Sequence, residues 1–494
     1  VRWEFVGNVF SSTIGGVNEL LNRTFKITER GSSVGQELRG GLVTFFAMSY
    51  ILVLNPIILS TPDSTGHFLG GGTDGANTPA IAAGTALVAG VMSLLMGTVA
   101  NYPMAIAAGL GLNAMLAYTV VSLPGMTWAD AMGIVVLEGI VILLLVLSGL
   151  REAIFKAVPG FLKTAISVGI GLFIALVGLV NAGIIRPGSG TPLDLGINGS
   201  IASWPLIVFI IGLLSIIVLM VKKVRGAILI GIVIATISAI VVEAIFKLGA
   251  QGPDGSNPTG WGLTVPSLQG SPVSVPEFST IGVFSIAGPF EKISVIAVLV
   301  LVFSLMLADF FDTMGTMVAV GSEGNLLDKD GNPPRMRQIL AIDSLGAIAG
   351  GAGGVSSNTA YIESATGVAD GARTGLASVT TGILFLACTF LAPLAGMVPY
   401  EAATPALVVV GFLMMQQVGQ IDWQDLVVGI PAFLTIVFMP FAYSITVGIG
   451  MGFISYVILA AVARRKVHPL LWVVSILFVF YFVRGPIETA LGLA

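Results

Sequence analysis

Apolar residues along the 494-residue chain gather into runs long enough to cross a membrane, and the breaks between runs hold most of the charge. About 20 apolar residues span a bilayer as a helix. The pattern predicts segments at about 40–59, 80–99, 103–123, 128–147, 160–180, 204–221 and 226–246. A Gly/Pro/Ser-rich stretch at 249–289 interrupts the series and reads as an external loop. Further segments follow at about 293–320, 339–349, 350–370 (broken), 374–394, 402–415, 426–441 and 444–463. A last apolar run at 470–483 is short for a span and reads as re-entrant, interfacial or a fifteenth segment. Upstream, Trp3, Val6, Phe10, Ile14, Val17 and Leu21 recur at helical spacing, which predicts an amphipathic helix on the membrane surface. The first 40 residues hold no apolar stretch followed by a small-residue cleavage site, so no removed leader is expected.

Two segments are unlike the rest. Residues 107–114 (AAGLGLNA) and 350–358 (GGAGGVSSN) are glycine-rich and occupy the third and tenth places. Fourteen segments divide into seven and seven, and an odd half must invert in the membrane. Matching interruptions in inverted halves point to a site near the bilayer midplane, lined by half-helix N-termini. In the second half the expected arrangement is loose or extended backbone and then a short helix. Thr359, Glu363, Thr366 and Asp370 would share one face of it.

Composition and charge narrow the picture. The chain is 55% apolar and 10% charged, against about 25% charged in soluble domains. This makes it an all-α polytopic membrane protein. A net charge of −4 gives no nucleic-acid footprint. One cysteine, Cys388, and two distant histidines, His67 and His468, support neither a disulfide nor a metal centre, and no metal ligands or catalytic residues are assigned. Positive charge sets orientation. With the N-terminus inside, the inner loops hold Arg23, Lys26, Arg30 and Arg39; Arg151 and Lys156; Lys222, Lys223 and Arg225; Lys329, Arg335 and Arg337; Arg373; and Arg464, Arg465 and Lys466. Arg186, Lys247 and Lys292 are the exceptions.

Acids inside apolar runs are the candidate chemistry, because a charge at mid-membrane costs roughly 2.5–3.5 kcal/mol on insertion scales. Glu363 leads the list. Asp309, Asp312, Thr313 and Thr316 make a polar face on the eighth segment. Desolvation disfavours an ionised carboxylate there, which suits Asp312 to proton coupling; Asp343 reads as structural. A carboxylate such as Glu363 accepts from the N–H groups of a heterocycle, and the amides of Asn113 and Asn358 both donate and accept. Phe45, Phe46, Phe310, Phe311 and Tyr361 offer faces for stacking a small planar ring. The 328–332 run (DKDGN) lacks the twelfth-position Glu of a calcium loop, Ile339 standing there. The Gly346/Gly350 and Gly448/Gly452 spacings read as close helix packing.

Residues 25–31 (FKITERG), 44–56 (TFFAMSYILVLNP), 109–118 (GLGLNAMLAY), 309–316 (DFFDTMGT), 360–375 (AYIESATGVADGARTG) and 431–440 (PAFLTIVFMP) together resemble the azaguanine-resistance (AzgA-type) purine permeases among the nucleobase–cation symporters. The resemblance runs over nearly the whole chain. It implies a plasma-membrane importer of adenine, guanine or hypoxanthine, with the proton as coupling ion and no cofactor. It also implies a core domain at 40–150 and 292–396 and a gate domain at 151–247 and 397–466. The 1–39 cytoplasmic N-terminus, the 248–291 loop and the 467–494 tail complete the chain. Asn113, Asp312 and Glu363 are the polar substrate residues it implies, flanked by Asn358 and Thr359, with Asp312 or Glu363 taking the proton. Homodimers through the gate are common in that family. A uracil, xanthine or other planar-solute carrier of the same fold, and an uncoupled uniporter, are the alternatives.

Overall fold

The computed structural model describes residues 18–490 apart from 71, 74, 150–156, 189–190, 198, 253–255, 268–270 and 330–331, with side chains to 483. Trp3, Val6, Phe10, Ile14, Val17, Arg151 and Lys156 lie outside the described residues. Leu21 lies within a helix over 18–25 and packs against the Phe25, Ile27 and Leu376 cluster.

The first predicted segment forms α1 (Val34–Met48) and α2 (Ile51–Ile58). Ser33 caps α1 by accepting from the Gln36 N–H. Then come α3 (Thr78–Leu95), β1 (Ile106–Ala108), α4 (Leu110–Met115), α5 (Trp128–Ser148) and α6 (Gly160–Asn181). An outer hairpin of β2 (Ile185–Arg186) and β3 (Asp194–Leu195) leads to α7 (Trp204–Val221) and α8 (Ala227–Phe246). The second half holds α9 (Val295–Glu323), α10 (Met336–Ala352), β4 (Asn358–Ala360), α11 (Ser364–Ala369) and α12 (Gly375–Cys388). It closes with α13 (Pro405–Met415), α14 (Leu426–Phe441), α15 (Ile445–Val462) and α16 (Pro469–Ala490).

Ten helical stretches among the described residues are long and apolar enough to cross a bilayer. The predicted fourteen is not reached by that measure, for local reasons. The third and tenth segments are broken into strand and short helix. The ninth, α10, has 17 residues and carries Arg337 and Asp343; the thirteenth, α14, has 16 and contains Pro431 and Pro440. The 470–483 run is part of α16, with Leu471 and Phe478 buried and Phe478 packed beside Phe453.

Glycines set the closest packing. A Cβ on Gly346 would lie 2.9 Å from the Asn358 carbonyl, and one on Gly350 would meet the Ser356 carbonyl. This pair was expected to seat a helix; it seats β4 and its lead-in instead. Gly448 and Gly452 do pack helix on helix, α15 against Thr435 and Met439 of α14. Elsewhere α3 packs on α12 and α5 on α10, while α6 lies against α13 and α14. The 249–289 stretch is folded onto the helices: Trp261 is buried and donates to Glu243 at 2.8 Å, and Gly262 N–H donates to Glu401 at 3.0 Å. Cations from separate connections meet at one end of the molecule. Arg30 donates to the carbonyls of Asn101 and Arg373, and Arg39 and Arg225 share Asp370.

Candidate functional site

Segments three and ten meet in the middle of the fold. β1 and β4 pair antiparallel, Ile106 opposite Ala360, Ala107 opposite Thr359 and Ala108 opposite Asn358. Each strand runs into a short helix, α4 after Gly109 and α11 after Glu363. This is the relation an inverted repeat predicts. Three strand residues cannot hold a broken span alone, and further bonds lace the halves together. Gly109 N–H donates to the Ser357 carbonyl at 2.9 Å, Tyr361 N–H to the Ala105 carbonyl at 3.0 Å, and Ala105 N–H to Ser364 Oγ at 3.0 Å.

Glu363 sits at the N-cap of α11, where the positive end of the helix dipole favours negative charge. Its side chain does not cap the helix. It turns toward α1–α2 instead, and Tyr50 OH donates to Glu363 Oε1. Tyr50 is buried, which fixes one carboxylate oxygen against a rigid donor. Tyr361 is also buried; its hydroxyl donates to the Ala108 carbonyl at 2.5 Å, and its ring lies 6.5 Å from that of Tyr50.

Asn113, on α4, is buried and donates to Asn55 Oδ1 at 2.6 Å. Asn55 in turn donates to Thr85 Oγ1 at 2.8 Å and to the Val355 carbonyl at 3.1 Å. Those two bonds fix which way the Asn55 amide points, and so which way the Asn113 amide points. Asn113 Oδ1 is left as a buried acceptor with no partner among the described residues.

On α9 the predicted polar face divides. Asp309, Thr313 and Thr316 are buried, whereas Asp312 is exposed and lies in the electrostatic field of Glu363 and Asp309. Thr359 is on a strand, so the expected helical face through Thr359, Glu363, Thr366 and Asp370 does not form. A three-residue strand turns the chain before the helix starts. Thr359 instead meets Thr313 at 2.7 Å, and Thr313 donates to Asp343 Oδ1 at 2.8 Å, which also accepts the Ala360 N–H at 3.2 Å. Asp343 thus ties α9, α10 and β4 together. The buried Asn358 amide has no partner among the described residues.

The aromatic candidates scatter. Phe45 is buried against Phe46 and Phe385. Phe46 is exposed, and its carbonyl lies 3.2 Å from where a Cβ on Gly226 would be. Phe310 is buried at the edge of Phe311, and Phe311 carries the Lys163 ammonium 5.0 Å from its centroid. Of the named rings, the structure brings Tyr361 alone into the bonded network of β1 and β4. Sequence reading passed over Tyr50 and Asn55, both within the 44–56 run, and Glu138, an acid midway along an apolar helix.

The chain matches the Permease family (Xan_ur_permease) over residues 35–451. The chain belongs to that family. It is 37% identical to adenine permease AdeP of Escherichia coli, over 94% of this chain and 96% of the relative. It is also 37% identical to guanine/hypoxanthine permease PbuG of Bacillus subtilis, over 93% and 98%. Among solved structures, it resembles the transmembrane domain of the cyanobacterial bicarbonate transporter BicA, with a TM-score of 0.54 at 16% identity, over 84% of this chain and 96% of that one. SLC26A9 aligns with a TM-score of 0.57 at 12% identity, over 88% and 66%. These likenesses carry the fold alone. The permease is therefore a multi-pass membrane protein of a transporter family.

Proposed function

We propose that this permease imports purine nucleobases by proton symport. The observation that carries the reading is Glu363, held by Tyr50 at the start of a half-helix, where the two broken repeats pair. Its second oxygen accepts from the ring N–H groups of a purine, and Asn113 Oδ1, a buried acceptor with no partner among the described residues, contributes to the same recognition. Asp312, beside Glu363 on the exposed flank of α9, takes the coupling proton. The full-length likeness to adenine and guanine/hypoxanthine permeases supports the substrate class.

The core of α1–α5 and α9–α12 slides against a gate of α6–α8 and α13–α15. The packing of α3 on α12 and of α6 on α13 and α14 supports this division. The cations gathered around Asp370 support a cytoplasmic N-terminus in the plasma membrane. A second copy would dock through the gate helices, whose exposed flanks are apolar, with Leu214, Ile237 and Val241 among them.

Uptake of radiolabelled hypoxanthine into proteoliposomes, with and without an inward proton gradient, tests the reading. Unlabelled adenine, guanine, uracil and sulfate serve as competitors. Gradient-dependent accumulation blocked by purines alone is expected. Uptake blocked by uracil or sulfate instead would overturn the substrate, and uptake indifferent to the gradient would overturn the coupling.

A further inference from the structure

Three arginines from separate connections meet at one end of the molecule. Arg30 precedes α1, Arg335 lies between α9 and α10, and Arg373 lies between α11 and α12. Arg30 Nη1 donates to the Asn101 carbonyl at 2.7 Å and to the Arg373 carbonyl at 3.1 Å. Arg335 Nη1 donates at 3.0 Å to the Val99 carbonyl, two residues before Asn101. Arg373 Nη1 donates to the carbonyls of Val368, in α11, and Ala372. Arg30 and Arg373 line a cavity of about 480 Å³ with Glu29, Asn325, Leu326 and Pro334, the residue before Arg335.

A guanidinium carries five N–H donors. Arg30 and Arg373 each engage Nη1 alone, and their Nε and Nη2 have no partner among the described residues. None of the three arginines forms an ion pair with a carboxylate among the described residues. The nearby acids are engaged elsewhere. Glu37 is buried and accepts the N–H groups of Arg373 and Thr374, at 2.8 and 3.2 Å. Glu29 pairs with Lys26 at 3.2 Å, and both are exposed. Backbone carbonyls therefore aim the guanidiniums without neutralising them. Two planar forks with spare donors match phosphate oxygens, and a phosphate monoester brings three oxygens and up to two negative charges. The volume lies within the roughly 300–1,000 Å³ of small-molecule sites, and Leu326 and Pro334 give an apolar wall for whatever carries the phosphate.

We propose that this cavity binds a phosphate-bearing anion, clamped between Arg30 and Arg373 and attracted by Arg335. A dissolved phosphate compound and the headgroup of an anionic phospholipid offer the same chemistry. The site stands independently of the purine reading.

The full chain is purified in detergent, and binding of radiolabelled pyrophosphate is measured at constant ionic strength set with chloride. Two variants change the charge of the cavity wall and leave the arginine–carbonyl bonds in place. Asn325→Asp adds a negative charge; Asn325 has a φ of 52°, in the left-handed region that Asp adopts as readily as Asn. Glu29→Gln removes a negative charge and breaks only the exposed pair with Lys26. One unit charge a few ångströms away in water shifts affinity about fivefold. Saturable pyrophosphate binding is expected, about fivefold weaker in Asn325→Asp and about fivefold tighter in Glu29→Gln. A misfolded variant cannot give the tighter binding. Melting in nanodiscs of phosphatidylglycerol and of phosphatidylcholine separates the two sources. Stabilisation by phosphatidylglycerol with the same order of variants, in a protein that does not bind pyrophosphate, supports the site and assigns it to a lipid headgroup. Neither pyrophosphate binding nor a preference for phosphatidylglycerol, or an affinity that neither variant moves, would overturn the proposal.

Discussion

The pairing at the centre of this permease joins two regions of one geometry and two chemistries. β1 and α4 are apolar apart from Asn113, which is held by Asn55. β4 carries Asn358 and Thr359, Glu363 stands at the N-cap of α11, and Asp343 backs β4 by accepting the Ala360 N–H. The first half supplies backbone, one amide and a smooth strand; the second supplies charge. Symmetry of the chain trace therefore does not require symmetry of task. A two-fold pairing places two half-helix ends together, and side chains then decide which end meets a polar ligand.

Substitutions that treat the halves alike test the contrast. The largest difference is expected between Gly350→Ala and Gly109→Ala. A Cβ on Gly350 meets the Ser356 carbonyl and comes within 3.0 Å of Asn358 N, all of it backbone. A Cβ on Gly109 meets the Thr359 methyl at 2.8 Å and Leu112 Cδ1 at 3.1 Å, both movable. Gly350→Ala should cost about 3 kcal/mol and Gly109→Ala about 1 kcal/mol, the upper and lower ends of overpacking. Melting in detergent measures both, and equal losses would break the comparison.

Next come the polar groups. Glu363→Gln removes a charged acceptor and should cost about 2 kcal/mol, a drop of roughly thirtyfold in purine affinity. Asn113→Ala removes a neutral amide and should cost about 1 kcal/mol, roughly fivefold. Equilibrium binding of labelled hypoxanthine reads both; a reversed order would move recognition to the first half. Tyr50→Phe sharpens the point further. It leaves Glu363 charged but unanchored, so affinity should fall by only about threefold, near 0.7 kcal/mol, with melting little changed. A loss as large as that of Glu363→Gln would make Tyr50 itself a substrate contact.

The smallest effect should come from outside both regions. Arg465 donates to Asp425 at the cap of α14 and holds that carboxyl below its ordinary range. A depressed folded value contributes stability above the unfolded value and loses it as pH falls through the folded one. Both groups are exposed to solvent, which screens the pair. Arg465→Ala should leave the melting temperature within scatter at neutral pH, and any residual difference should vanish in acid. A large shift at neutral pH would give that end of the gate a structural weight the contrast does not assign to it.

Much of this was legible from residue order. The apolar runs gave the helices, and the glycines of 107–114 and 350–358 marked both broken segments. The cost of a buried charge singled out Glu363 and the α9 acids. The same rule applies to Glu138, which went unremarked because the run around it is so strongly apolar. Thr359 was read on a helical face because four residues at helical spacing cannot reveal a strand of three. The Gly346/Gly350 spacing signals close approach, but spacing does not name what approaches.

The sequence by itself determined the membrane class, the position of the helices and the places where helix fails, because hydrophobic period and glycine content act over a few residues. Tertiary structure alone decided that Tyr50 reaches Glu363 across 313 positions and Tyr361 reaches Ala108 across 253. It alone decided that Asp309 is buried while Asp312, three residues on, is exposed. A helix turns about 100° per residue, so neighbours in sequence look in different directions, and what each one meets depends on elements brought up from far along the chain.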